Sequence, residues 1–269
     1  MAVALAVVLC VVFGAKIVMG SVSGASSPFT VVESQSMQHD SGRSDIGIID
    51  TGDMVLVRSL DKHGKIITYV EGSQTGYSRF GEYGDVIIYE RGGGQNPVIH
   101  RAILWLEYNN DELKTWNAPS LANWEYKSQW YCPSGSDYGH LSGTLTLYNV
   151  GEFDKKVSVN LSQIQPNSGY LTMGDSRDNT NFDQTMGIIN SPINDGLIKS
   201  VAWKEIPWLG AVKLIMKDNA VALDACAPNS VPNLIFAMAS FVISLILVSF
   251  LMDAIYIQIV KDRIRKDPF

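Results

Sequence analysis

The chain reads Gly84-Asp85-Val86-Ile87-Ile88-Tyr89-Glu90, then Gly92-Gly93-Gly94, then Val98-Ile99-His100-Arg101-Ala102-Ile103-Leu104-Trp105-Leu106. Two runs rich in β-branched and aromatic side chains flank a flexible glycine tip, the pattern of strand, loop and strand. The triple glycine lacks the Gly-Lys-Ser or Gly-Lys-Thr that a phosphate loop needs. The same alternation of apolar runs with Gly, Asp, Asn and Ser extends outward. It places further candidate strands at residues 54–58, 66–69, 144–150, 170–173 and 211–216. Gly-Asp recurs at Gly52-Asp53, Gly84-Asp85 and Gly174-Asp175, and the first two read as turns at strand ends. Helical periodicity is scarce, so the expectation is a mostly β protein built on an irregular antiparallel domain.

Beyond that domain, residues 234–252 form an uncharged apolar run. As a helix it would extend ~28 Å, close to the hydrocarbon thickness of a bilayer, and it reads as a transmembrane helix. Lys261, Arg263, Arg265 and Lys266 follow it, and the positive-inside bias puts this tail in the cytoplasm. At the other end, residues 1–15 are almost wholly apolar, and Lys16 could snorkel to extend a span to about residue 20. A cleavable signal peptide and a start placed too far downstream are the rival readings there. The predicted order is an N-terminal transmembrane anchor at 1–20, a first part of the β domain at 21–106, and an inserted subdomain at 107–165. A second part of the β domain at 166–220, a linker at 221–233, the C-terminal transmembrane helix at 234–252 and a basic tail at 253–269 complete it. With two spans, both termini are cytoplasmic and the β domain lies outside.

The insertion is marked by Trp116, Trp124, Trp130, Tyr126 and Tyr131, which either fill a small core or rest at the membrane interface. A net charge of −6 with a single basic cluster argues against nucleic acid as a partner. Cys132 and Cys226 both fall in the outside segment, where a disulfide is permitted. Asn160-Leu161-Ser162 is a glycosylation sequon.

Chemistry is suggested by order rather than by any one stretch. Ser34-Gln35-Ser36-Met37 follows the first apolar run, His100 sits in a β-patterned segment, and Asp175 and Asp183 flank a polar loop after another strand. A serine hydroxyl needs a base to become a nucleophile, an imidazole suits that task near neutral pH, and an acid orients the imidazole. His39 is a nearby competitor for the base. His63 and His140 read as solvated surface groups, and the four histidines lack the spacing of a zinc site, so neither metal nor cofactor is implied.

In these stretches the chain resembles the type I signal peptidases, in the archaeal and endoplasmic-reticulum branch that uses histidine as the base. Ser34-Gln35-Ser36-Met37 resembles the nucleophile box, Thr51-Gly52-Asp53-Met54-Val55-Leu56-Val57 the strand after it, and Gly84-Asp85-Val86-Ile87 with Val98-Ile99-His100-Arg101 the next strand pair. Tyr170-Leu171-Thr172-Met173-Gly174-Asp175 is similar to the acidic box, and Ile206-Pro207-Trp208-Leu209-Gly210 to the closing segment. Gln35 stands where the family usually has Gly, and Gln38-His39 where it usually has an acid and Pro. The resemblance implies a signal-peptidase-like β domain and a membrane-bound serine endopeptidase that removes signal peptides from secretory preproteins. Ser36 would be nucleophile, His100 general base, and the Ser36 amide with the Ser34 hydroxyl the oxyanion hole, with Met37 beside them in the substrate-binding box. Asp183, ahead of Asp175 and then Asp178, would orient the base, while Arg101 would pair with an acid. The implied partners are preproteins, the lipid bilayer and the protein-export channel; the implied setting is an archaeal cell membrane, ahead of the endoplasmic reticulum. The alternative is a catalytically silent, membrane-anchored β domain that binds or scaffolds exported proteins.

Overall fold

A computed structural model describes residues 18–217 and 220–266. The expected N-terminal span lies largely outside the described residues; residues 18–23 are helical. The chain runs through β1 (Phe29–Val31), β2 (Met54–Arg58), β3 (Ser78–Arg79), β4 (Glu82–Tyr83), β5 (Val86–Tyr89) and β6 (Val98–Tyr108). After these come β7 (Trp116–Asn117), β8 (Trp130–Tyr131), β9 (Thr144–Val150), β10 (Lys155–Asn160), β11 (Gly169–Met173) and β12 (Ile198–Ile206). The helices are α1 (Leu60–His63), α2 (Tyr69–Thr75), α3 (Ala211–Met216), α4 (Ala220–Cys226) and α5 (Ser230–Lys266).

The main sheet is antiparallel, ordered β1-β2-β12-β5-β6-β11, with β7 paired to the far end of β6. A second sheet, β10-β9-β8, belongs to the insertion. Its apolar residues do not form a separate core. Trp116, Trp130, Leu145, Leu147 and Val157 pack in one cluster with Leu104 of β6, Leu171 of β11 and Val70 of α2. Trp116, Trp124 and Trp130 are buried, so these indoles fill the core instead of facing a membrane.

Two candidate strands are corrected. Residues 66–69 lead into α2, because Thr68 and Glu71 form a capping box: the Thr68 hydroxyl accepts from the Glu71 amide and the Glu71 carboxylate accepts from the Thr68 amide. Residues 211–216 form α3, whose buried Ala211 and Leu214 stand three apart, a helical spacing hidden in a short apolar run. Strand β12 was not anticipated, although it lies in the middle of the sheet; Lys199, Lys204 and Glu205 interrupt its apolar pattern. The disulfide that the sequence permitted is not formed: Cys132 and Cys226 are both free thiols, and Cys132 is buried in the insertion. His63 is also corrected, since its ring is bonded to the buried Asp85 at 3.1 Å instead of being solvated. The Gly-Asp turns carry more than turn chemistry, because Asp53 accepts from the Trp208 and Asp50 amides and Asp85 from the Ile67 amide and the Tyr77 hydroxyl.

Helix α5 holds the expected apolar run and is longer than predicted. Residues Ser230–Ile259 are long and apolar enough to cross a membrane, and none of the most apolar stretch is buried in the protein. A soluble protein would hide such a helix in its core; this one leaves it bare.

Candidate active site

Strand β6 carries His100 and Arg101 side by side. Successive side chains on a strand point to opposite faces, so the two basic groups serve different surroundings. His100 is paired in register with Ile87 of β5, and Arg101 lies opposite Val86 on one side and Met173 of β11 on the other.

The His100 ring meets Asp183, with Nδ1 at 2.8 and 2.9 Å from the two carboxylate oxygens. Asp183 Oδ2 also accepts from the Tyr89 hydroxyl at 2.7 Å and the Thr172 hydroxyl at 2.6 Å. Burial pushes the Asp183 carboxyl up, but the His100 ring and the converging donors outweigh it and hold the group below its usual range. An ionised carboxylate only accepts, so Nδ1 donates to it, and in the neutral ring Nε2 is the nitrogen with the lone pair. Nε2 makes no hydrogen bond among the described residues, which leaves it open to take a proton. Burial, and after it the same carboxylate, push the Tyr89 hydroxyl up, keeping it a donor.

Asp175 is placed elsewhere. It receives Arg101 Nε at 2.8 Å and Nη2 at 2.5 Å, and Arg101 Nη1 donates to the carbonyls of Glu82, Tyr83 and Gly84. Burial pushes Asp175 up, yet the Arg101 guanidinium brings its carboxyl down to about 2. His39 lies next to this pair, with Nδ1 at 2.6 Å from Glu152 and Nε2 at 3.9 Å from Asp175. The second separation is an ion-pair distance and too long for a hydrogen bond. Burial lowers His39, but the surrounding carboxylates of Asp175, Glu152 and Glu82 raise it overall. Both ring nitrogens of His39 thus face carboxylates.

The nucleophile box is a tight turn. The Gln38 amide donates to the Gln35 carbonyl at 3.1 Å. In a trans peptide plane the Ser36 N–H points opposite to that carbonyl, and it has no acceptor among the described residues. The Ser36 hydroxyl lies 3.4 Å from the Ser34 hydroxyl. Met37 is buried beneath the turn, packed with Val32, Ile49, Val55 and Val57. Its side chain supports the turn from the core and does not line the cleft.

The acidic loop grips the turn from the other side. The Ser36 carbonyl accepts from the Ser176 amide at 3.1 Å and from Asn179 Nδ2 at 2.6 Å. The insertion supports this loop from behind, since Lys155 Nζ donates to the carbonyls of Asp175 and Ser176 at 3.0 and 2.6 Å. Gly174 is where everything converges. A Cβ there would come within 2.0 Å of Asn179 Nδ2, 2.3 Å of the Ser36 carbonyl and 3.0 Å of His100 Nε2. The close approach of the Ser36 turn and the His100 ring therefore requires a glycine. If Ser36 and His100 act together on a substrate, Gly174→Ala is expected to lower turnover by about 10²-fold, the scale of a displacement near 1 Å, in protein that still folds. Steady-state kinetics with a melting curve would check it, and unchanged turnover would contradict it.

Ser36 and His100 open into the same cleft of about 660 Å³, whose walls include Val32, Val57, Ile88 and Ile99. Four residues of the site went unrecognised in the sequence: Tyr89, Thr172, Asn179 and Gly174. Tyr89 and Thr172 are hidden inside ordinary strand patterns. Asn179 lies in a polar loop whose composition singles out no residue, and nothing in the residues around Gly174 marks a close approach. Among the described residues no cluster of His, Cys, Asp or Glu could hold a metal ion. No family model, no curated protein and no solved structure matches the chain.

Proposed function

We propose that the chain is a membrane-anchored serine endopeptidase of the type I signal peptidase kind, removing signal peptides from secretory preproteins. The observation that supports the reading most is the Asp183–His100 pair, whose free Nε2 shares a cleft and a glycine contact with the Ser36 turn.

The chemistry would run as follows. Ser36 Oγ attacks the scissile carbonyl carbon while His100 Nε2 takes its proton, and Asp183 stabilises the resulting imidazolium. In this structure the Ser36 hydroxyl is engaged with Ser34, so it must turn from that partner towards Nε2. The oxyanion develops against the Ser36 N–H and the Ser34 hydroxyl. The tetrahedral intermediate collapses, the peptide C–N bond breaks, and His100 returns the proton to the leaving amine. Water, deprotonated by the same ring, then hydrolyses the acyl-enzyme and frees Ser36.

The apolar helix α5 would hold this site at the surface where the preprotein's own apolar segment is embedded, raising effective concentration. In the two-span topology the β domain faces out of the cytoplasm, in an archaeal cell membrane, near the protein-export channel. The Val32, Val57, Ile88 and Ile99 walls would accept small side chains at the first and third positions before the cut and exclude larger ones by clash. A preprotein with Leu in place of Ala at both positions should be cut at least about 10²-fold more slowly in liposomes; equal rates would refute the specificity. The Ser34 contact of the Ser36 hydroxyl motivates the second reading, a silent β domain that binds exported proteins. Hydrolysis that vanishes in Ser36→Ala eliminates it.

A further inference from the structure

The loop that follows Ser36 is tied to the root of the apolar helix. Residues 38–52 contain no helix or strand, so their shape depends on side-chain ties. Gln38 supplies most of them. It is 2% exposed, and its Oε1 accepts from the Thr51 hydroxyl at 2.5 Å and the Thr51 amide at 3.3 Å. Its Nε2 shares its protons among the carbonyls of Asp40 at 2.9 Å, Arg43 at 3.2 Å and Cys226 at 2.8 Å. Cys226 is the last residue of α4, which leads into α5.

Two further ties run in parallel. Asn229 binds Ser44 at both ends, accepting from its amide at 2.9 Å and donating to its carbonyl at 2.7 Å. Leu223 packs on Gly52, where φ is +93° and a Cβ would come within 2.6 Å of the leucine methyl. The segment 38–52 and the helix root at 223–230 are thus one hydrogen-bonded block, and the block begins at the residue whose amide closes the nucleophile turn.

We propose that Gln38 is a positioning residue through which the root of the membrane helix sets the backbone of the Ser36 turn, so that the helix places the nucleophile as well as anchoring the chain. The proposal rests on Ser36 being the nucleophile. Gln38 reaches neither the cleft walls nor His100, so the loss of its ties displaces the turn and leaves substrate binding on the strands intact. Displacements near 1 Å cost about 10²-fold in rate. The effect therefore belongs in kcat and not in KM.

The test uses the full chain in liposomes with a preprotein substrate. It compares wild type, Gln38→Met, Gln38→Glu, Asn229→Ala and Ser36→Ala, with amide hydrogen exchange measured on each. Gln38→Met keeps the shape and removes every bond. Gln38→Glu keeps the acceptor for Thr51 and removes the donor to Cys226, which covers the case in which the Met variant fails to fold. Both are expected to lower kcat by about 10- to 100-fold with KM within about 2-fold, and to speed exchange over residues 34–38 by about 10-fold. Asn229→Ala, acting only at the helix root, is expected to speed exchange over the same residues by a smaller factor. Unchanged exchange at 34–38 in folded Gln38 variants overturns the proposal whatever the activity, as does a rise in KM at constant kcat. Cleavage by Ser36→Ala at the wild-type rate is a different failure: it removes the nucleophile assignment, and the exchange data still decide the tie.

Discussion

Ser36→Ala is expected to lower single-turnover cleavage of a preprotein in liposomes by roughly 10⁴- to 10⁶-fold, with His100→Ala equally low and the double variant no lower than either. The three predictions share one cause. In the proposed mechanism the hydroxyl and the ring act as a unit, so removing either removes the whole proton-transfer step. What survives is binding and the oxyanion site at the Ser36 amide. Asp183→Asn is expected to lose about 10⁴-fold with KM nearly unchanged. The carboxylate now accepts from His100 Nδ1, Tyr89 and Thr172 together. An asparagine presents N–H where one of these donors points, which favours the ring tautomer protonated on Nε2, and that nitrogen can no longer accept from Ser36. Full activity in His100→Ala would sink the assignment. His39, held by Glu152 at 2.6 Å, would then have to be tested as the base.

The second large effect falls on stability. Arg101→Met is expected to lower the unfolding free energy by about 3–5 kcal/mol at pH 7, because it strands the buried Asp175 carboxylate without its guanidinium. Three carbonyls, those of Glu82, Tyr83 and Gly84, lose their donor as well. The pH dependence identifies the mechanism. In the wild type Asp175 titrates at about 2, below its unfolded range. Its contribution is therefore complete above about pH 4 and lost as pH falls towards 2. In the variant the buried carboxyl keeps, among the described residues, only His39 as an ion-pair partner, at 3.9 Å, and burial pushes the carboxyl up, so folding weakens as pH rises above about 4. The gap between the two proteins should then be widest near neutral pH and narrow steadily as pH falls from neutral towards about 2. Denaturant unfolding followed by circular dichroism across that range measures it; a gap independent of pH would mean that lost packing, and not the stranded charge, is responsible.

The two carboxylates also show where the sequence stops being informative. Residues 170–175 read as a strand followed by an acid, and the polar loop to residue 184 offers Asp175, Asp178 and Asp183 as partners for His100. Order and spacing rank them only weakly. The choice depends on how the loop folds back: the Asp183 amide bonds the Thr172 carbonyl at 2.8 Å, which returns Asp183 to the His100 face of β6, while Asp175 stays with Arg101 on the other. Gln38 gives a similar lesson from the opposite direction. In the sequence it is only a departure from the family pattern, and in the fold it is a buried amide joining residues 188 positions apart.

By itself the sequence determined the properties carried by local periodicity and length. The β-branched and aromatic runs at 54–58, 86–90, 98–106, 144–150 and 170–173 mark strands β2, β5, β6, β9 and β11 because such side chains suit a pleated, packed surface, and β5 and β11 are buried on both faces. Residues 234–252 lie in a bare apolar helix because an uncharged run of that length leaves no polar face for water. The tertiary structure alone decided the central place of β12, the helical state of 211–216, the free state of Cys132 and Cys226, and the division of acids between His100 and Arg101. Each of these depends on contacts between segments far apart in the chain, and such contacts form only when the whole core closes, so no short window of residues carries their signature.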